Sequence, residues 1–211
     1  YAQTVKRDSE IYDIGHEHRP KRSEKLMGVD LETNSIGLRN REISPLPSPG
    51  TYRILALGDS LTLGWGVESN ETFAIKLEQI LNKKPPNDYK RVEVINAGVG
   101  NYNTSQEVAY YLNRGVRLKP NLVLLFFFIN DAEPTPHRSS NPLQYSAFSS
   151  LLFGRVDRLM RNLGLRGGTA IAYYKNLYQE NSPGWKASQK ALQKIIKSTQ
   201  KSNTKFLFIL L

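Results

Sequence analysis

The chain has 211 residues and no cysteine. That excludes disulfides, thiolate metal sites and a cysteine nucleophile. It does not decide the compartment. Histidine is scarce, with only His16, His18 and His137. The pair in His16-Glu17-His18 is too close in sequence to place two imidazoles on one helix face, so no metal and no cofactor is expected. Apolar runs are short. The longest, "LVLLFFFI" at 122–129, falls far below the roughly 20 residues that span a bilayer. No leader is evident at Tyr1, so either none existed or one was removed. Negative charge is in short supply: 19 acidic residues face 29 lysines and arginines, for a net charge of +10. A nucleic-acid or anionic partner therefore has to be weighed. Much of the excess is accounted for by Lys186, Lys190, Lys194, Lys197 and Lys201, spaced three or four apart. With Leu192, Ile195, Ile196 and Thr199 opposite, they form the solvated side of an amphipathic helix. No basic motif interleaved with aromatics is present, and no nucleic acid is expected as a partner.

Residues 1–50 are polar and read as an irregular N-terminal extension. "HEHRPKRSEK" reads as a charged loop, "TNSIGLRN" (33–40) as a short strand or turn, and "SPLPSPG" (44–50) as a linker. From residue 51 the pattern becomes regular. "YRILALG" (52–58) and "RVEVINAG" (91–98) read as strands, and "TFAIKLEQILNK" (72–83) as a helix. "TSQEVAYYLNRGVRL" (104–118) reads as a helix opened by a capping box between Thr104 and Glu107. "NLVLLFFFI" (121–129) is apolar throughout, as a central strand covered on both faces would be. A loop-rich insertion spans about 131–183, long enough to be functional or a lid. Ser182-Pro183 then starts the lysine-faced helix, and "TKFLFILL" (204–211) reads as a fourth strand. Strands alternating with helices predict an α/β fold with a parallel sheet and helices on both faces.

Sites in open parallel sheets form beyond the carboxyl ends of the strands. Three strand ends here carry polar or glycine-rich residues: "GDSLTLGWG" (58–66), "NAGVGNYNT" (96–104) and Asn130-Asp131. All three should share one edge of the sheet. A serine hydroxyl is a weak nucleophile unless a base adjoins it. An attacked ester also needs donors aimed at the oxygen that becomes negative.

These three blocks, in this order and at these strand ends, resemble the SGNH (GDSL-type) serine hydrolase family over residues 52–211, and "NSIGLR" often accompanies such domains. The resemblance implies a three-layer α/β/α, flavodoxin-like domain over 51–211 and an acyl esterase, lipase-like or carbohydrate O-acyl esterase activity. It implies Ser60 as nucleophile, with its own N–H as one oxyanion donor, and the Asn130 amide as another. A backbone N–H of the second block is the third. The family's usual glycine, five residues after Asn96, falls on Asn101, with Gly100 one earlier, so the donor is Gly100 or Asn101. Phe128 stands where a glycine is common and is expected to narrow the pocket. Asp59 reads as turn support. The implied partner is a small-molecule or glycan acyl ester.

The family's Asp-x-x-His block does not follow Asn130. The domain is therefore expected to be incomplete at its C-terminal end, with the base and its acid beyond Leu211. Asp13-Ile14-Gly15-His16 has that spacing but precedes the nucleophile, and His137 has no evident acid in "PTPHRSS". Two alternatives stay open: a catalytically inactive relative that binds carbohydrate or another ligand, and a truncated inactive fragment. The sequence leaves the natural substrate and oligomeric state open. The compartment is undetermined, with the bacterial cell envelope or secretion favoured.

Overall fold

The computed structural model describes residues 1, 4–86, 88–135 and 170–211. Four short strands come first: β1 (Lys6–Asp8), β2 (His16–His18), β3 (Ser23–Leu26) and β4 (Val29–Glu32). They pair as two antiparallel hairpins, β1 with β2 and β3 with β4. The segment expected as a charged loop thus contains strand residues, because pairing partners rather than apolar pattern fix such short strands. "TNSIGLRN" is a turn, closed by hydrogen bonds from Ile36 N (3.1 Å) and Leu38 N (2.9 Å) to Asn34 Oδ1.

The main sheet is parallel, with β5 (Thr51–Gly58), β6 (Arg91–Gly98), β7 (Leu122–Phe127) and β8 (Lys205–Leu210) in the spatial order β6-β5-β7-β8. The chain thus leaves β5 to one side and returns to its other side, which puts a switch point between β5 and β7. Alternation divides the strand residues between two faces. Tyr52, Ile54, Val92, Val94 and Leu124 pack with Phe73, Ala74, Leu77 and Leu81 of α2 (Phe73–Asn82). On the other face, Leu55, Leu57, Ile95, Val123 and Leu125 pack with Val108 and Tyr111 of α3 (Thr104–Asn113). The same cluster takes in Ala191 and Ile195 of α5 (Pro183–Lys201). The domain is a three-layer α/β/α sandwich. Each fully buried Leu or Ile contributes about 1.5–3 kcal/mol.

Two boundaries and one helix face differ from expectation. The box that starts α3 is Asn103 with Gln106, one residue earlier than Thr104 and Glu107. Asn103 is extended, and its side chain accepts from Gln106 N while Gln106 Oε1 accepts from Asn103 N. The helix also ends at Asn113, and Gly115–Leu118 continue as a 3-10 turn, with Gly115 pressed against Leu55 and Tyr111. On α5, Ile196 is exposed. The buried stripe is Gly184, Ser188, Ala191, Ile195 and Thr199, and Gly184 lets the helix approach Ala132 closely. The lysines do lie off this stripe. Helix α4 (Ala170–Leu177) precedes α5.

Among the described residues no helix is long and apolar enough to cross a membrane.

Candidate active site

Strand β5 ends at Gly58 and the four-residue α1 (Ser60–Leu63) starts at once. Asp59 caps it: Oδ1 accepts from Leu61 N at 2.8 Å. Ser60 is half-buried at the first helical position, and its carbonyl accepts from Gly64 N and Trp65 N. Helix α1 lies directly on the strand ends. A Cβ at Gly58 would collide with the Thr62 side chain, and one at Gly98 with the backbone of Thr62 and Leu63. These two glycines are required by close approach.

Strand β6 ends at Gly98, in register with Gly58. The turn that follows is tied to the first by Asn96, whose Nδ2 donates to Thr62 O (2.8 Å) and whose Oδ1 accepts from Gly98 N (3.0 Å). Asn101 has φ +67°, in the left-handed region. Glycine is favoured there and asparagine tolerated. That is the position at which the resemblance implies glycine.

Past β7 the chain turns at 128–131. Asn130 Nδ2 lies 3.4 Å from Tyr102 O, and the same side chain favours the charged form of the Asp59 carboxylate beside it. One amide from the third strand end thus meets both the first and the second. Its Oδ1 is buried without a hydrogen-bond partner. Asp131 anchors this turn: its carboxylate accepts from Phe128 N (2.6 Å) and Thr104 Oγ1 (2.9 Å), and its carbonyl from Ser188 Oγ (2.6 Å).

Behind the turns lies a buried carboxylate group. Burial raises the pKa of Asp59. It raises Asp131 to about 7 although hydrogen bonds from the Phe128 backbone and from the Thr104 side chain and backbone act in the opposite sense. Burial and the nearby Asp131 and Asp59 charges push Glu107 well above the usual range, and neither of its oxygens has a hydrogen-bond partner.

The N-terminal hairpins reach the second turn. Tyr1 Oη accepts from Gly100 N (3.1 Å) and hydrogen-bonds His18 Nε2 (2.6 Å), and its ring packs edge-on against Trp65. Lys6 Nζ donates to Gly100 O (2.5 Å) and Asn101 Oδ1 (3.0 Å), and His16 Nε2 sits 3.1 Å from Gly100 O. Burial lowers Lys6 to about 8, His16 to about 4 and His18 to about 3, and raises Tyr1. Sequence reasoning missed this cluster. The signal was the His-x-His alternation, which on a strand puts both rings on one face. Asp13 and His16 do not form a pair facing Ser60, because His16 is engaged at Gly100 and against the Tyr102 ring. His137 lies outside the described residues. Among the described residues no group of three histidine, aspartate or glutamate side chains is arranged to hold a metal.

A serine, a glycine turn and an asparagine gathered at the carboxyl ends of a parallel α/β/α sheet define an SGNH-type domain. The profile of the GDSL-like lipase/acylhydrolase family matches residues 56–207, and the chain belongs to that family. Solved structures similar to it include the psychrotrophic esterase EstA from Pseudoalteromonas sp., at 19% identity and a TM-score of 0.41 over 74% of this chain and 58% of that one. Another is AlinE4, an SGNH-hydrolase family esterase, at 22% identity and a TM-score of 0.36 over 76% and 77%. A third is a catalytic mutant of Axe2, an acetylxylan esterase from Geobacillus stearothermophilus, at 14% and 0.32 over 74% and 75%. The chain spans 58% of the length of EstA. No curated protein matches it.

Proposed function

We propose that the protein hydrolyses an oxygen ester of a small molecule or glycan through a covalent acyl-Ser60 intermediate. The observation that carries this reading is the reach of Asn130 from the end of β7 to Tyr102 O and Asp59, which draws all three strand ends around one point. Ser60 Oγ bonds to the carbonyl carbon as its proton passes to a general base. The carbonyl oxygen takes the negative charge. Collapse breaks the bond to the leaving alkoxide, which takes the proton, and water then cleaves the acyl-serine ester.

The developing oxyanion is held by the Ser60 N–H, a second-turn N–H and the Asn130 amide. An amide suits the task, since one N–H can fix its position while the other serves the substrate and the group stays neutral. For the second donor the reading favours Asn101 over Gly100. The Gly100 N–H already donates to Tyr1 Oη, and Asn101 holds the left-handed conformation. Asp59 supports the turn from which Ser60 projects.

The test is intact mass spectrometry of the full-length protein with a fluorophosphonate probe. One adduct that disappears in Ser60→Ala is expected. Absence of any adduct overturns the hydrolase reading and favours a ligand-binding relative.

A further inference from the structure

The segment "NSIGLRN" (34–40) forms no part of the three blocks, yet it touches two of them. Asn34 closes it into a turn, with Oδ1 accepting from Ile36 N and Leu38 N and Nδ2 donating to Arg41 O (3.0 Å). Gly37 has φ +82° and packs on the His18 carbonyl, so that no side chain fits there. Two consecutive residues then project into the site's foundations. Arg39 is buried, and Nη1 donates to Gly64 O (2.6 Å) and Leu63 O (3.3 Å). Its Nη2 donates to Val67 O (2.7 Å) and Asp30 O (3.1 Å). The last carbonyls of a helix have no partner inside it. Here one guanidinium takes those at the end of α1 together with the loop that follows.

Asn40 grips the other block. Its Nδ2 donates to Asn96 O (2.8 Å) and its Oδ1 accepts from Asn96 N (3.2 Å), so a side-chain amide replaces the missing strand at the sheet edge. Asn96 in turn bonds Thr62 O and Gly98 N. Among the described residues Arg39 forms no ion pair, and its buried Nε has no hydrogen-bond partner. Burial opposes the Arg39 cation, and the Glu68 charge favours it without forming an ion pair with it, so stability alone is a poor account of this residue.

We infer that residues 34–40 are a clamp that fixes the spacing between the serine turn and the glycine turn, with Arg39 and Asn40 as positioning residues. The inference rests on the proposed role of Ser60. Lysine cannot replace Arg39, since a single ammonium cannot span four carbonyls.

The experiment compares Arg39→Lys, Asn40→Ala and the control Arg41→Ala in the full-length protein, by steady-state hydrolysis of p-nitrophenyl acetate and by amide hydrogen exchange. Arg41 is exposed and its side chain pairs with Glu78 and Glu93 instead. At a temperature where each variant is fully folded, Arg39→Lys and Asn40→Ala should lower kcat at least tenfold with KM changed less than twofold. Arg41→Ala should match the parent. Exchange should accelerate at both 60–65 and 96–101 in each clamp variant. If Arg39→Lys does not fold, Asn40→Ala alone decides. Unchanged kcat with unchanged exchange overturns the clamp, as does acceleration spread evenly over the domain. If the parent protein takes no fluorophosphonate, the hydrolase reading has failed. The clamp then stands or falls on exchange at the two turns.

Discussion

The two ends of the main sheet solve the burial of polar groups in opposite ways. At the amino end, Arg53 is 1% exposed and each of its three side-chain nitrogens donates a hydrogen bond. It pairs with Glu93 at 2.6 Å and donates to the carbonyls of Leu118, Pro45 and Ser44, tying the linker to the sheet. At the carboxyl end, buried polar atoms are left over: Thr62 Oγ1, both Glu107 oxygens, Asn130 Oδ1, and nearby His18 Nδ1 and Arg39 Nε. All the unpartnered buried side-chain atoms among the described residues belong to this end or to the segments packed on it. A group with every bond made can only hold. A group with capacity to spare can bind or react, at a cost to stability.

Several substitutions would break or sharpen this contrast. The largest effect is expected at the carboxyl end: Ser60→Ala should lower turnover by about 10⁴-fold or more, with thermal stability near that of the parent. Next comes the amino end. Arg53→Ala removes the 2.6 Å partner of the buried Glu93 and leaves it only the longer pair with Arg41 at 3.7 Å, which should cost about 3–5 kcal/mol in denaturant unfolding, with kcat per folded molecule unchanged. Asn130→Ala should lower kcat by about 10²–10³-fold with little change in unfolding midpoint. If Arg53→Ala spoiled chemistry and Asn130→Ala spoiled only stability, the contrast would be inverted.

A smaller effect concerns pH. His16 and His18 have folded-state pKa values lowered to about 4 and about 3 by burial, with Lys6 adding repulsion. An unfolded chain takes up protons on them below about 6.5, while the folded one does not. Stability contributed by the docked hairpin is therefore present above about pH 6.5 and is lost as pH falls toward the folded values. Trp65 fluorescence, read in a Trp185→Phe background, should change between about pH 7 and about pH 5 as the contact with Tyr1 opens. His18→Gln should flatten that change. The acids oppose it: Asp131, raised to about 7, loses stability as pH rises from its ordinary value to that point, so Asp131→Asn should steepen the acid loss. The smallest effect is on the lysine face. Lys197→Ala should stay within about 0.5 kcal/mol of the parent in unfolding.

What the sequence made legible were features fixed by local chemistry. The apolar runs at β5 and β7 and the polar residues at their ends place themselves, because a strand buried on both faces must end where its polar groups begin. The N-terminal hairpins could not be read that way. Their strands are three or four residues long and charged, and they are fixed by partners far along the chain, such as Lys6 to Gly100. The one-residue error at the start of α3 has a similar cause. Thr104 is as good a capping residue as Asn103, but its hydroxyl is taken by Asp131. The exposure of Ile196 follows from tertiary packing, since Gly184 and Ser188 lie against residues 131–132 and set the rotation of α5.

The central claim is that the carboxyl end of the sheet carries an activated serine. Its most direct test is acid quenching of the full-length protein during turnover of p-nitrophenyl acetate, followed by peptide mapping. One acetyl group on the peptide that contains Ser60, absent in Ser60→Ala and accumulating in a burst, is the predicted result. Turnover with the acetyl group on another residue, or none on Ser60 and no turnover, would contradict it.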